Sequence, residues 1–229
     1  MKLAIMQPYF LPYIGYFQLN KAVDAFVFYD DVTYIKQGWI NRNRILLNGN
    51  DYLFTLELKG ASSYKKINKI EVGHNRRKLF KTFEQAYRNA PNYKHAEPLL
   101  YSIFNSNQNN LSHFIVETHK LIMGYLEVKA NFLISSEINK NNFLKGQDKV
   151  IEICRLLGAT TYINSIGGQD LYSKPDFSNA GITLSFLRPR KSEYRQFSNE
   201  FIPWLSIIDI IMFNSVKEIQ SMLDNYDLI

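Results

Sequence analysis

The first thirty residues leave this chain few ways to fold. Residues 3–6 form an apolar run that starts almost at the first residue, and Gln7, Pro8 and Tyr9 break it. Pro12 sits where a helix can begin, and Tyr13, Phe17 and Val23 carry an apolar helical face up to Asp24. Residues 25–29 form a second apolar, β-prone run that ends in Asp30 and Asp31. Apolar run, Pro-containing turn, amphipathic helix and apolar run is the pattern of a βαβ unit with parallel strands. Ligands of such sheets bind beyond the carboxyl ends of the strands. Two of those ends are visible here, one carrying Gln7, Pro8 and Tyr9, the other Asp30 and Asp31.

The remaining chain continues the theme with an interruption. Residues 32–43 read as a polar-aromatic loop holding Tyr34, Lys36, Trp39, Asn41 and Arg42. Residues 44–47 and 52–58 flank Asn48-Gly49-Asn50, and an Asn-Gly between β-prone runs is a strong hairpin signal. A short β-prone stretch covers residues 67–72. Helical periodicity then dominates residues 75–130, with Pro91 ending the first helix and further helices over 97–104 and 111–126. Alternation returns afterwards. Strands are expected at 132–134, 160–164 and 182–187, and helices at 147–157, 177–180, 203–213 and 216–223. The expected fold is α/β: a mainly parallel, Rossmann-like sheet with a β-hairpin and a helical insertion at about 75–130. With 229 residues, 46% of them hydrophobic, and no low-complexity linker, the reading is a single α/β domain over residues 1–229.

Composition narrows the partners. A net charge of +6 and a pI of about 9.2 suit an anionic small molecule, a nucleotide or a nucleic acid alike. The nearest thing to a basic tract is Asn75-Arg76-Arg77-Lys78, which reads better as a solvated helix face, so no nucleic acid is expected. The single cysteine, Cys154, lies on an apolar helical face, which excludes an internal disulfide and fits a reducing compartment. The start is too quickly interrupted for a signal peptide, and no apolar run approaches the ~20 residues of a membrane span. A cytoplasmic protein is expected. The four histidines, His74, His95, His113 and His119, share no metal-ligand spacing with each other or with Cys154, and no metal is expected.

Four constellations can carry chemistry. In the first, Gln7, Tyr9, Tyr13 and Gly15 stand at a strand end and helix start. The layout resembles the entrance of nucleotidyltransferase-like folds, where a helix N-terminus faces a phosphate. Those folds place an HxGH box there; here the letters are Tyr13-Ile14-Gly15-Tyr16, and both histidines are missing. In the second, Asp30 and Asp31 are read as catalytic carboxylates, escorted by Tyr34, Lys36, Trp39, Asn41 and Arg42. Lys36 and Arg42 would neutralise phosphates, and Trp39 and Tyr34 offer flat faces to a base or a sugar. The competing reading is that aspartates at a strand end cap a turn. In the third, Ser165, Gly167 and Gly168 follow a β run, and a Gly-Gly lets backbone amides approach an anion; a plain turn is the alternative. The fourth is an aromatic, Asn- and Gln-containing group near Trp204, Asp209 and Phe213, in which Asp209 reads as a structural anchor needing a partner.

The stretch MQPYFLPYIGYFQLNKAVDAFVFYDDVTYIKQGWINRNRI closely resembles the opening of the WbqC-like family, and the likeness continues through KTFEQAYRNAPNY, ICRLLGATTYINSIGGQDLY and EFIPWLSIIDIIMFN. Departures from the family pattern occur at Asn164-Ser165 and Met212-Phe213-Asn214. The resemblance implies a transferase of bacterial surface-polysaccharide (O-antigen) or related amino-sugar biosynthesis, moving an acyl or aminoacyl (glycyl) group onto the amine of a nucleotide-linked amino sugar. The donor would be an activated acyl group, a carrier-protein thioester or an ATP-derived adenylate. In that picture Asp30 or Asp31 accepts the amine proton. Two other readings stay open. One is a non-catalytic partner that binds a nucleotide sugar or an acidic acyl carrier protein through its basic surface. The other is a nucleotidyltransferase-like enzyme. A resemblance of this kind conveys association rather than mechanism.

Overall fold

Leu3, Ala4 and Ile5 are shielded from solvent on both faces, as an interior parallel strand requires. A computed structural model describes residues 1–197 and 200–229. In chain order its elements are β1 (Lys2–Met6), α1 (Ile14–Ala22), β2 (Ala25–Phe28), β3 (Arg42–Leu47), β4 (Asn50–Thr55), β5 (Leu58–Lys59), β6 (Glu71–Val72), α2 (Arg76–Tyr87), α3 (Tyr93–Phe104), α4 (Leu111–Tyr125), β7 (Phe132–Ile134), α5 (Gly146–Leu156), β8 (Thr161–Ser165), α6 (Lys174–Asn179), β9 (Thr183–Pro189), α7 (Ile207–Phe213), α8 (Val216–Leu223) and β10 (Tyr226–Leu228).

Six strands form one sheet in the order β10-β9-β8-β1-β2-β7. β1 pairs in parallel with β2 and β8, β2 with β7, and β8 with β9; only β10, on the edge, is antiparallel. β1 therefore lies inside the sheet, and the molecule is mixed α/β with a mostly parallel centre. Alternate residues of β1 and β2 enter two different cores. Ala4, Phe26 and Phe28 join an aromatic-rich layer with Phe17 of α1 and Phe114 of α4. Leu3, Ile5, Ala25 and Val27 meet Val150, Ile153 and Cys154 of α5 and Phe177 of α6. Both faces are covered, which is why these strands read as continuous apolar runs rather than alternating ones.

The hairpin forms as Asn48-Gly49 demands: Asn48 and Gly49 take positive φ, and Leu47 pairs with Asn50. Elsewhere the structure departs from the sequence reading where backbone bonds go outside local elements. The closing helix expected from Pro203 starts at Ile207. Ser206 N–H donates to the Arg44 carbonyl and Ile207 N–H to the Pro12 carbonyl, both at 2.8 Å, so these residues staple β3 and the β1–α1 loop instead of extending a helix. Residues 67–72, expected as one β run, split into a single 3₁₀ turn and the two-residue β6. β10 gives no strand signal of its own, since three residues are too few to show a period; β9 recruits it by pairing Tyr226 with Pro189 and Leu228 with Leu187. Among the described residues, no helix is long and apolar enough to cross a membrane.

Candidate functional site

Going outward from β1, the sheet takes β2 and β7 on one side and β8 and β9 on the other, so consecutive parallel connections diverge between β1 and β8. A crevice must open there, at the carboxyl ends of the two strands. It is a cleft of about 480 Å³, within the range of ligand sites. Gln7, Tyr9, Tyr13 and Gly15 line it from the β1–α1 connection, Ser165, Gly167 and Gly168 from the end of β8, and Tyr29, Asn164 and Tyr172 complete the wall. Residues 150 positions apart in sequence thus meet as the parallel-sheet reading requires. Among the described residues that line it, none is Asp, Glu, Lys, Arg or His.

The β1–α1 connection is held by its backbone, with Phe10 and Leu11 turned into the core and Gln7, Tyr9 and Tyr13 left for the cleft. Tyr16 Oη donates to the Gln7 carbonyl at 2.8 Å. The ring of fully buried His119, stacked on Phe17 and edge-on to Phe28, meets the Tyr9 carbonyl through Nε2 at 2.9 Å. A carbonyl needs a donor, so Nε2 carries the proton, and Nδ1 is left buried with no partner among the described residues. Burial lowers the His119 pKa to about 4, so the ring is neutral at physiological pH. Burial likewise raises the pKa of Tyr9, Tyr13, Tyr29 and Tyr172, assisted at Tyr29 by Asp31. The cleft therefore presents neutral phenols that can donate hydrogen bonds.

Two glycines set its contours. A Cβ on Gly15 would lie 2.4 Å from the Tyr13 ring, so the ring rests over the first turn of α1 only because Gly15 has no side chain. A Cβ on Gly168 would lie 2.9 Å from Asn164 Nδ2, the side chain that closes the end of β8. No side chain caps α1 at Tyr13; Tyr16 N–H bonds the Tyr13 carbonyl at 3.1 Å, which leaves the Ile14 and Gly15 amides without a partner among the described residues.

The second constellation lies elsewhere. Asp30 and Asp31 do not line the cleft; they are buried beneath the β7 end. After Phe28 the chain turns inward, Tyr29 N–H bonding the Met6 carbonyl and Asp30 N–H the Phe28 carbonyl. Asp30 accepts from Ser136 N–H at 2.9 Å, Ser136 Oγ at 2.7 Å and Ser112 Oγ at 3.2 Å. Asp31 accepts from Ser135 Oγ at 2.7 Å and pairs with Lys149 at 2.8 Å and Lys140 at 3.0 Å. Burial alone would raise the Asp31 pKa, but these donors hold it below the usual carboxylate range. Carboxylates so fully engaged fit anchors of the β2 and β7 ends better than a general base. Tyr34 and Asn41 are also internal: Tyr34 Oη bonds Asn41 Oδ1, and Asn41 Nδ2 bonds the Leu56 carbonyl. Arg42 folds back on its own loop, bonding the Gly38 and Gln37 carbonyls with its guanidinium 5.6 Å from the Trp39 ring centre. Lys36 is exposed on that loop and lines no cavity described here. The residue of the loop that reaches the cleft is apolar Ile35. Burial of polar loop side chains cannot be read from residue type alone.

Trp39 stands at a smaller pocket of about 210 Å³, shared with Tyr9, Tyr13, Asn43, Arg44 and Trp204. Asp209, read as an anchor, is one: it is buried and accepts from Tyr87 and Tyr194 hydroxyls at 2.8 and 2.6 Å and from Gln196 at 2.8 Å. Sequence reasoning missed Tyr29 and His119 at the site. Tyr29 sat in an apolar run, and His119 in a helix whose face gave no sign of meeting the β1–α1 loop. Among the described residues, no group of three or more His, Cys, Asp or Glu could hold a metal ion.

The profile of the WbqC-like protein family matches residues 7–221. An uncharacterized protein of Mycobacterium tuberculosis, Rv1507c, is 26% identical over 216 residues, covering 92% of each chain. No solved structure matches.

Proposed function

The chain belongs to the WbqC-like protein family, and from that membership we propose a transferase of bacterial surface-polysaccharide (O-antigen) or related amino-sugar biosynthesis, which binds a nucleotide-linked amino sugar in the β1–β8 cleft and acylates its amine. The observation that carries the binding half is the cleft itself. Its five parallel strands follow the order 3-2-1-4-5 of Rossmann-like mononucleotide-binding units, with the crevice at the switch point. The uncapped start of α1 opens there, suited to a diphosphate, and Gly167-Gly168 lets backbone approach a second oxygen.

In the transfer, the sugar amine attacks the acyl carbonyl. A C–N bond forms, the C–S bond of a thioester or the C–O bond of an adenylate breaks, and the thiol or AMP leaves. The amine's excess proton passes to solvent or to the leaving group. Without a carboxylate or imidazole in the cleft, the protein's contribution is placement of the two reactants and hydrogen bonding to the developing oxyanion by neutral phenols such as Tyr9 and Tyr13. A carrier-protein donor is acidic and would meet a chain of net charge +6.

The same lack of a titratable base favours a second reading, a non-catalytic nucleotide-sugar or carrier-protein partner of a neighbouring enzyme. It counts against nucleotidyl transfer, whose usual histidines have no counterpart here. Calorimetric titration with uridine, thymidine and guanosine diphosphate sugars carrying a free amine, followed by mass spectrometry after adding an acyl or glycyl thioester or a preformed glycyl adenylate, separates these. Binding with a product heavier by one acyl group supports transfer. Binding without product supports the partner reading, and absence of nucleotide binding overturns both.

A further inference from the structure

The 210 Å³ pocket beside the cleft is too small for a nucleotide and has walls of an unusual kind. It is walled mainly by Tyr9, Tyr13, Trp39 and Trp204, with Asn43 and Arg44 as its polar members. Tyr9 and Tyr13 line both this pocket and the cleft, so one ligand can occupy the two at once. Both tryptophans of the chain are here, about half exposed, at 48% and 59%. Trp204 is kept there against local preference. Its φ of +62° lies in the left-handed region that a bulky side chain rarely enters, and strain of this kind persists where surrounding structure imposes it. The imposing contacts are visible: Ser206 and Ile207 are bonded to the Arg44 and Pro12 carbonyls, and the Trp204 ring packs edge-on at 6.0 Å from Tyr13. Arg44 spends Nη1 on Asp51 at 2.8 Å, while its Nε–H is buried with no acceptor among the described residues.

We propose that this pocket is the sugar subsite, taking the hexosamine ring of a nucleotide-linked ligand between the Trp204 and Trp39 rings, with Arg44 and Asn43 on its polar side. The inference rests on the nucleotide reading of the cleft. The C–H faces of a pyranose are apolar and slightly positive, and aromatic faces carry the complementary quadrupole. Its hydroxyl edges suit the polar side formed by Arg44 and Asn43.

Because the chain has only these two tryptophans, its intrinsic fluorescence reports this pocket. The test compares uridine diphosphate with UDP-glucosamine and its thymidine and guanosine counterparts, by calorimetry and by tryptophan emission. The expected result is that the sugar nucleotide shifts emission and binds at least about tenfold tighter than the bare diphosphate. Trp204→Ala should erase that advantage while leaving diphosphate affinity unchanged, and Trp204→Phe should restore most of it. Thermal midpoints within a few degrees of the parent would certify folding. Equal affinities for sugar nucleotide and diphosphate, unmoved by Trp204→Ala and without an emission change, would overturn the subsite while leaving the nucleotide cleft standing. If no nucleotide binds, the cleft reading fails by itself. The subsite then stands on free glucosamine and N-acetylglucosamine at millimolar concentration: an emission shift lost in Trp204→Ala upholds it, and no shift overturns it.

Discussion

His119 and Asp31 show how buried polar groups shape a site they do not line. His119 is neutral and fixed under Tyr9, so its free energy depends on pH. Its folded pKa of about 4 lies below the unfolded value near 6.5. Between those values the unfolded chain binds the extra proton, so stability is complete above about pH 6.5 and falls as pH drops toward 4. The shift corresponds to about 3 kcal/mol, and the decline should vanish in His119→Gln when unfolding is followed in urea across that range. Asp31 acts in the same direction at lower pH. Its depressed pKa makes its contribution present above the unfolded carboxylate value and lost as pH falls through the folded one. Asp31→Asn leaves Lys140 and Lys149 buried without a counter-ion and should cost about 3–5 kcal/mol at neutral pH. Equilibrium denaturation checks this. A general-base role would instead leave stability intact and abolish turnover, so the two variables separate the readings.

Among the elements, α1 decides most about the cleft, and it shows what a sequence can and cannot reveal. The apolar runs at 3–6 and 25–29 and the helix between them were legible, because period and length depend on local residue type and both strands are buried on each face. The meeting of Gln7 with Ser165 and Gly168 was legible too, since it follows from the parallel order alone. The fates of Asp30, Asp31, Tyr34 and Asn41 were not. Whether a polar group after a strand faces ligand or protein depends on Ser112, Ser135, Lys149 and Leu56, partners supplied by distant elements. The true start of α1, at Ile14 rather than Pro12, likewise depends on the remote Ile207 N–H that captures the Pro12 carbonyl. Gly15 gives this element a sharp test. In a helix Gly→Ala ordinarily stabilises by about 1 kcal/mol, but here the new Cβ must displace the Tyr13 ring. Gly15→Ala should therefore leave the unfolding midpoint unchanged or raised, while nucleotide-sugar affinity drops at least about tenfold in calorimetry. A variant that binds like the parent would mean that Tyr13 has no part in the site.

Across the molecule, distant segments converge on one end of the sheet. The β1–α1 connection, the end of β8 and the segment before α7 are separated by most of the chain, yet Ser206 and Ile207 tie the third to the first, and Asp209 locks it through Tyr87, Tyr194 and Gln196. Such long-range ties let a strained, exposed Trp204 keep its place. They also predict which amides a ligand will protect. Hydrogen–deuterium exchange, read by mass spectrometry with and without a saturating amino-sugar nucleotide, should slow at residues 7–16 and 164–172 and, more weakly, at 39–44 and 203–207. Residues 30–34 should be unchanged, because Asp30, Asp31 and Tyr34 are engaged internally. Protection centred on residues 30–34, with none at 7–16 or 164–172, would contradict the placement of the ligand between β1 and β8.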